Sequence, residues 1–165
     1  MPAAEQNLNP NRYQIIPRVL IFVWRGESLL LLKIRGKGRW DGRYNGLGGH
    51  IERAETALDA ADRELFEESG LQADLRFVGS LLIDTGESPG IGLFIFNGEA
   101  AEGQLVASEE GDLAWIPLAD LENVPLLEDV PILLRKIRAM GADAEPFFAR
   151  SFYDAGGNLE LVFAG

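Results

Sequence analysis

Apolar and polar positions along the chain fall into three patterns, and each predicts a different element. Arg18 to Trp24 and Ser28 to Ile34 are apolar runs rich in leucine and β-branched residues. They flank Arg25-Gly26-Glu27, which predicts a β-hairpin. Arg35 to Gly49 breaks the pattern with glycine at 36, 38, 42, 46, 48 and 49, so it reads as a loop with a short strand at Tyr44 to Leu47. Thr56 to Ser69 has helical spacing. Thr56 with Asp59 makes a capping-box-like start, Leu58, Ala61 and Leu65 form the expected core stripe, and Gly70 is placed to end the helix.

Strands are expected next at Leu75 to Asp84 and Ile91 to Phe96, around the turn-forming Gly86-Glu87-Ser88-Pro89-Gly90, and at Asp112 to Ile116. Leu127 to Met140 returns to helical spacing. Pro131 falls in its first turn, where proline is tolerated, and Arg135, Lys136 and Arg138 suit the negative end of the helix dipole. Phe147 to Tyr153 and Leu159 to Phe163, around Ala155-Gly156-Gly157-Asn158, predict a terminal hairpin. Strands outnumber the two helices, so the expected class is α+β, with helices packed on the faces of a mixed sheet. Trp24 and Trp115 lie in strand-like runs and are expected in the core.

Length and composition narrow the function. A chain of 165 residues, 47% hydrophobic and 25% charged, has the size of one globular domain, and no linker or repeat divides it. The absence of cysteine removes disulfides, thiolate nucleophiles and zinc-thiolate sites. Met1 to Gln14 is polar and no apolar run is long enough to span lipid, so the expected location is the cytoplasm, away from membranes. The net charge of -11, from 15 basic and 26 acidic residues, opposes binding to nucleic acid. A phosphorylated ligand would need cations to bridge it.

The candidate chemistry concentrates in the predicted first helix. Glu64, Glu67 and Glu68 are spaced i, i+3 and i+4 and share one strip of its surface. Like charges so placed repel, and a hard divalent ion with oxygen ligands is a natural neutralising partner. A solvated acidic face is the plain alternative. Gly48-Gly49 precedes the helix, where backbone can approach a ligand or offer a carbonyl to a metal. Arg63 points away from Leu65 and can pair with Glu55, pinning the loop to the helix.

These residues resemble a known motif. Gly49, Glu55, Arg63, Glu64, Leu65, Glu67, Glu68, Gly70 and Leu71 match every fixed place of the Nudix box, Gly-x5-Glu-x7-Arg-Glu-U-x-Glu-Glu-x-Gly-U with U aliphatic. The resemblance implies an αβα sandwich around a mixed sheet and an enzyme hydrolysing phosphoric anhydrides of nucleotides with Mg2+ or Mn2+. It implies that Glu64, Glu67 and Glu68 are metal ligands and catalytic residues and that the Gly49 carbonyl is a further ligand, while the Glu55–Arg63 pair is expected to be structural. Any one of the three glutamates is a candidate for the base.

The approach to the box, Tyr44-Asn45-Gly46-Leu47-Gly48-Gly49, is similar to that of MutT-like hydrolases of oxidised purine nucleoside triphosphates, such as 8-oxo-dGTP. There Asn45 matches a base-reading asparagine, although an asparagine before glycine also suits a turn. Glu128 and Asp129 match acidic residues that read an 8-oxopurine, or else they are acids favoured at a helix N-terminus. The aromatic residue expected just before that pair is a leucine here. Arg35, Lys37, Arg39 and Arg43 form a basic cluster suited to a triphosphate or to solvent, and Trp40 and Tyr44 are candidates for lining a pocket. Arg39 and Tyr44 join Asn45, Glu128 and Asp129 as the expected substrate residues. His50, the lone histidine, is expected in a loop or near phosphate.

The expected partner is a nucleoside di- or triphosphate, and the expected assembly a monomer or homodimer. The favoured reading that the resemblance implies is a metal-dependent pyrophosphohydrolase of nucleoside triphosphates, giving the monophosphate and pyrophosphate, and two alternatives stand beside it. One keeps the box and acts on ADP-ribose, dinucleoside polyphosphates or nucleotide sugars, and the other is a non-catalytic nucleotide sensor.

Overall fold

A computed structural model describes residues 11–100, 103–106 and 111–164; the first part of the polar N-terminal stretch, to residue 10, lies outside them. Ten elements follow in chain order: β1 (Ile15–Arg25), β2 (Ser28–Ile34), β3 (Tyr44–Asn45), α1 (Ala57–Ser69), β4 (Ala73–Ile83), β5 (Gly90–Ala100), β6 (Gly111–Pro117), α2 (Val130–Arg138), β7 (Phe147–Tyr153) and β8 (Leu159–Phe163). The strands form a mixed sheet in the order β3-β2-β1-β5-β4-β7-β8, with β6 on the other edge of β2. β1 with β5 and β4 with β7 run parallel, and the remaining pairs are antiparallel. The fold is the α+β sandwich the pattern predicts.

Alternation along β1 sorts its side chains between two layers. Val19, Ile21 and Val23 join Leu30, Leu47, Leu65 and Phe96 under α1. Leu20 and Phe22 join Leu29, Leu31, Val78, Leu81 and Ile95 under α2, which contributes Val130, Leu133, Leu134 and Ile137. Each layer is fully buried at its centre, and burial of this kind is the main favourable term in folding.

Four elements differ from expectation. The β1–β2 hairpin pairs only from Val23–Leu30 to its tip at Arg25–Ser28. Beyond that the Gly46–Gly49 backbone enters beside β1, with Val19 N–H donating to Gly49 O at 2.9 Å and Ile21 N–H to Leu47 O at 2.8 Å. β5 extends past Phe96 through Asn97, Gly98 and Glu99, because it is central and paired by β1 and β4 together. Apolar alternation misses such residues, since ladder hydrogen bonds hold them rather than side-chain burial. α2 is shorter than Leu127 to Met140, because Leu127 and Glu128 lie in the loop that pairs with Tyr44.

Leu58 is the fourth. It is 45% exposed, and the face of α1 that meets the sheet carries Ala60, Ala61, Leu65, Glu68 and Ser69. Small side chains let the helix approach closely, which rotates Leu58 outward. Trp24 and Trp115 are half-buried at the margins of the layers, Trp24 donating from Nε1 to Asn97 Oδ1 at 2.8 Å and Trp115 lying under the Arg25 guanidinium.

Leu65→Ala should therefore cost about 3 kcal/mol and Leu58→Ala less than about 0.5 kcal/mol in urea denaturation. Equal losses would contradict this placement of the helix.

Candidate active site

Local chemistry holds α1 at both ends. The Thr56 side chain accepts from Asp59 N–H at 3.2 Å while Asp59 Oδ2 accepts from Thr56 N–H at 2.9 Å, and the Thr56 bonds hold the Asp59 carboxyl below its ordinary pKa. Gly70 ends the helix in the left-handed conformation at φ 73°. Between these caps the three glutamates occupy three different environments. Glu68 is buried, and its Oε2 accepts from Gly48 N–H at 2.9 Å. Glu64 is largely covered and lies directly on Gly49, where any Cβ would collide with its carboxylate. Glu67 is largely exposed.

Arg63 joins this strip to the loop before it. Its Nε donates to Glu55 Oε1 at 2.6 Å, Nη1 to Glu64 Oε1 at 2.9 Å and Glu67 Oε2 at 3.1 Å, and Nη2 to the His50 carbonyl at 3.0 Å. Glu55 also accepts from Glu52 N–H at 2.9 Å. The bond from Arg63, followed by that N–H, holds the Glu55 carboxyl below its ordinary range. Arg63 is thus the cation that the repelling glutamates require within the chain itself. Among the described residues, no three acidic or histidine side chains already converge as a metal cluster.

Gly48 governs how the loop reaches this helix. Its φ of 141° lies in the region that favours glycine, and a Cβ there would strike the Val19 carbonyl. On the α2 side of the same loop opens a cleft of about 640 Å³, within the range of small-molecule sites. Asn45 and Gly46–Gly49 form one wall, Leu20, Leu32 and Leu93 line it, and Lys37, Arg39, Trp40, Tyr153 and Leu159 border it. Glu128 and Asp129 also face into it.

These cleft groups are tied together. Tyr153 Oη donates to Glu128 Oε2 at 2.8 Å, and the Arg39 guanidinium lies 4.0 Å from the Trp40 ring centroid and 5.7 Å from that of Tyr153. Asn45 Oδ1 accepts from Gly46 N–H at 2.8 Å, leaving its amide N–H groups for other partners. Asp129 sits at the start of α2 without a side-chain cap bond, and burial pushes its carboxyl above the ordinary range. Burial and the bond to Glu128 likewise raise the Tyr153 hydroxyl.

A sequence model of the NUDIX domain matches residues 15–137. The chain belongs to the Nudix family. Oxidized purine nucleoside triphosphate hydrolases of Danio rerio and Mus musculus are 34% and 36% identical to it over 132 and 129 residues, in each case 74% of this chain and 81% of the relative. The mMutator MutT protein of Bacillus halodurans superposes with a TM-score of 0.75 at 21% identity, over 90% of this chain and 97% of that one. Its likeness is one of fold. The chain is a Nudix hydrolase, with its box running from Gly49 to Leu71.

Of the residues expected at the site, this Nudix fold gathers Asn45, Arg39, Glu128, Asp129 and Gly49 around the cleft and sets Glu64 and Glu68 against its glycine wall. Tyr44 does not line the cleft; it packs into the α2 layer, its ring facing Lys33. Of the basic cluster, Lys37 and Arg39 line the cleft, whereas Arg35 pairs with Asp112 and Arg43 Nη1 donates to the Leu126 carbonyl at 3.3 Å. The His50 side chain is exposed outside the cleft. Arg18 and Tyr153 line it without having been singled out from sequence. Arg18 was legible in principle, because it shares the parity of Leu20 and Phe22 along β1.

Asp129 gives a stability prediction. Between the ordinary aspartate pKa and its raised native value, the folded protein holds a proton that the unfolded chain has released, so stability falls as pH rises through that window. Asp129→Asn should accordingly raise the melting temperature at pH 7, with the gain shrinking as the buffer is taken toward about pH 4. A gain that is the same at both values would place its cause elsewhere.

Proposed function

We propose that this Nudix hydrolase cleaves nucleoside triphosphates, oxidised purine nucleotides such as 8-oxo-dGTP among them, to the monophosphate and pyrophosphate. One observation carries the reading: the cleft with Asn45, Glu128 and Asp129 ends at Gly48–Gly49, whose backbone is packed on Glu64 and Glu68. A base seated among the polar groups sends its phosphates along the glycine wall toward the acidic helix. The names of the Danio rerio and Mus musculus relatives support the same substrate class. The shared sheet beneath both layers supports a single domain.

Asp129, desolvated, keeps its proton to higher pH and can donate as well as accept, while Glu128 accepts from Tyr153 and the Asn45 amide retains its N–H donors. Together they offer both kinds of hydrogen bond to a purine edge. Leu127, directly before the acidic pair, is not aromatic, and Trp40 and Tyr153 provide ring faces at the cleft instead.

The carboxylates of Glu64, Glu67 and Glu68 and the Gly49 carbonyl are all hard oxygen donors, the chemistry that suits Mg2+ or Mn2+. The Gly49 carbonyl already accepts from Val19 and has its second lone pair to give. A bound divalent ion would supply charge neutralisation on the phosphate oxygens and acidify a water. Arg63, now bonded to Glu64 and Glu67, fixes those carboxylates relative to the Glu55 loop. In the reaction a water oxygen bonds to phosphorus, its proton passes to a glutamate of the trio, and the P–O anhydride bond breaks to release pyrophosphate.

Incubation with magnesium and a panel of 8-oxo-dGTP, dGTP, ADP-ribose and diadenosine polyphosphates tests the reading. Monophosphate and pyrophosphate should appear from triphosphates, with 8-oxo-dGTP giving the higher kcat/KM, and turnover of ADP-ribose alone would overturn it. Glu67→Gln and Glu68→Gln should each lower kcat by at least about a hundredfold with the circular dichroism spectrum unchanged. Unaltered rates in both variants would remove the acids from the chemistry.

A further inference from the structure

A buried hydrogen-bond donor with no acceptor is costly and calls for an explanation, and Arg18 carries one. Its Nε is buried and lacks a partner among the described residues, and no ion pair there involves its guanidinium. The position is also defined. Arg18 pairs with Leu93 of β5 on one side and forms an isolated bridge with His50 on the other, one residue beyond Gly49. Its parity with Leu20 and Phe22 turns the side chain toward the α2 layer, and it lines the cleft at the Gly49 end. Asn45, by contrast, pairs with Leu32 at the opposite end of the loop.

Among the described residues no counter-ion is bonded to it. Asp84 also lines the cleft, but its Oδ1 is occupied in a turn by Gly86 N–H at 2.9 Å. Glu64 and Glu68 approach the same glycines from the α1 layer, where Arg63 and Gly48 N–H hold them. An arginine with an unsatisfied N–H, on the far side of Gly48–Gly49 from the acids, suits an anion lying along that wall. The fork of a guanidinium matches two oxygens of one phosphate.

We propose that Arg18 is a phosphate anchor, binding a phosphoryl group of the substrate from the cleft side of the Gly48–Gly49 wall, opposite the acidic helix. The assignment rests on the nucleotide-hydrolase reading above for its substrate, and adds a binding residue outside the Nudix box. Because the anchor approaches from the opposite layer, the phosphate chain is held between a fixed cation and the carboxylate strip. That arrangement offsets, at this one place, the repulsion expected from a chain of net charge -11.

The test is calorimetric titration of the full chain with pyrophosphate in magnesium buffer, alongside the nucleoside 8-oxo-deoxyguanosine. Wild type should bind pyrophosphate, and Arg18→Met should weaken that affinity by roughly ten- to a hundredfold, as expected for a lost charge-assisted hydrogen bond. Nucleoside affinity should stay unchanged. Arg18→Lys, which keeps the charge and stem but not the fork, should lose less; it decides the matter should Arg18→Met melt early, and an unchanged pyrophosphate affinity in it would then overturn the proposal. So would undetectable binding of pyrophosphate to wild type, or equal weakening of nucleoside and pyrophosphate. Failure to turn over any triphosphate, with Arg18-dependent pyrophosphate binding intact, would overturn the proposed reaction and leave the anchor standing.

Discussion

The Gly48–Gly49 backbone is squeezed between β1 and the carboxylates of α1, and the site depends on that close approach. On one side it bonds to β1, with Gly49 accepting from Val19, and a Cβ at Gly48 would strike the Val19 carbonyl. On the other, Glu68 accepts from Gly48 N–H and Glu64 rests on Gly49. Only glycine lets backbone lie so near both. The consequence is architectural: a segment a few residues wide separates a cleft under α2 from an acidic helix on the opposite face of the sheet, so a ligand in one lies next to the other.

Electrostatics follow from the same packing. Three glutamates so close in sequence would repel one another, yet α1 is capped, ordered and partly buried. Arg63 offsets part of that repulsion by reaching two of them while also holding Glu55 and the His50 carbonyl, and Gly48 N–H satisfies the third. The acids are thereby held with different degrees of exposure.

The cleft itself is assembled from segments remote in sequence. Trp40 and Asn45 come from the glycine-rich loop, Asp129 from the start of α2 and Tyr153 from the end of β7, while β1 and β5 supply the floor. Tyr153 links the terminal hairpin to Glu128, so the last strands support the cleft rather than merely extending the sheet. Arg18, a charged residue inside the largely apolar β1, belongs to the same surface.

Much of this was legible in the chain. The capping pair Thr56 and Asp59, the stop at Gly70, the Glu55–Arg63 pairing and the box acids depend on residues within a helix turn or a short loop of one another, where spacing alone sets geometry. The α+β class follows from alternation, because burial imposes a period on strands and helices alike. What spacing does not carry is contact across the sheet. The exposed Leu58, the inward Glu68, the diversion of Tyr44 from cleft to core and the dispersal of Arg35 and Arg43 all depend on how closely α1 meets β1 and how the loop threads past it. Those distances arise from packing among residues tens of positions apart, and only the folded sheet determines them.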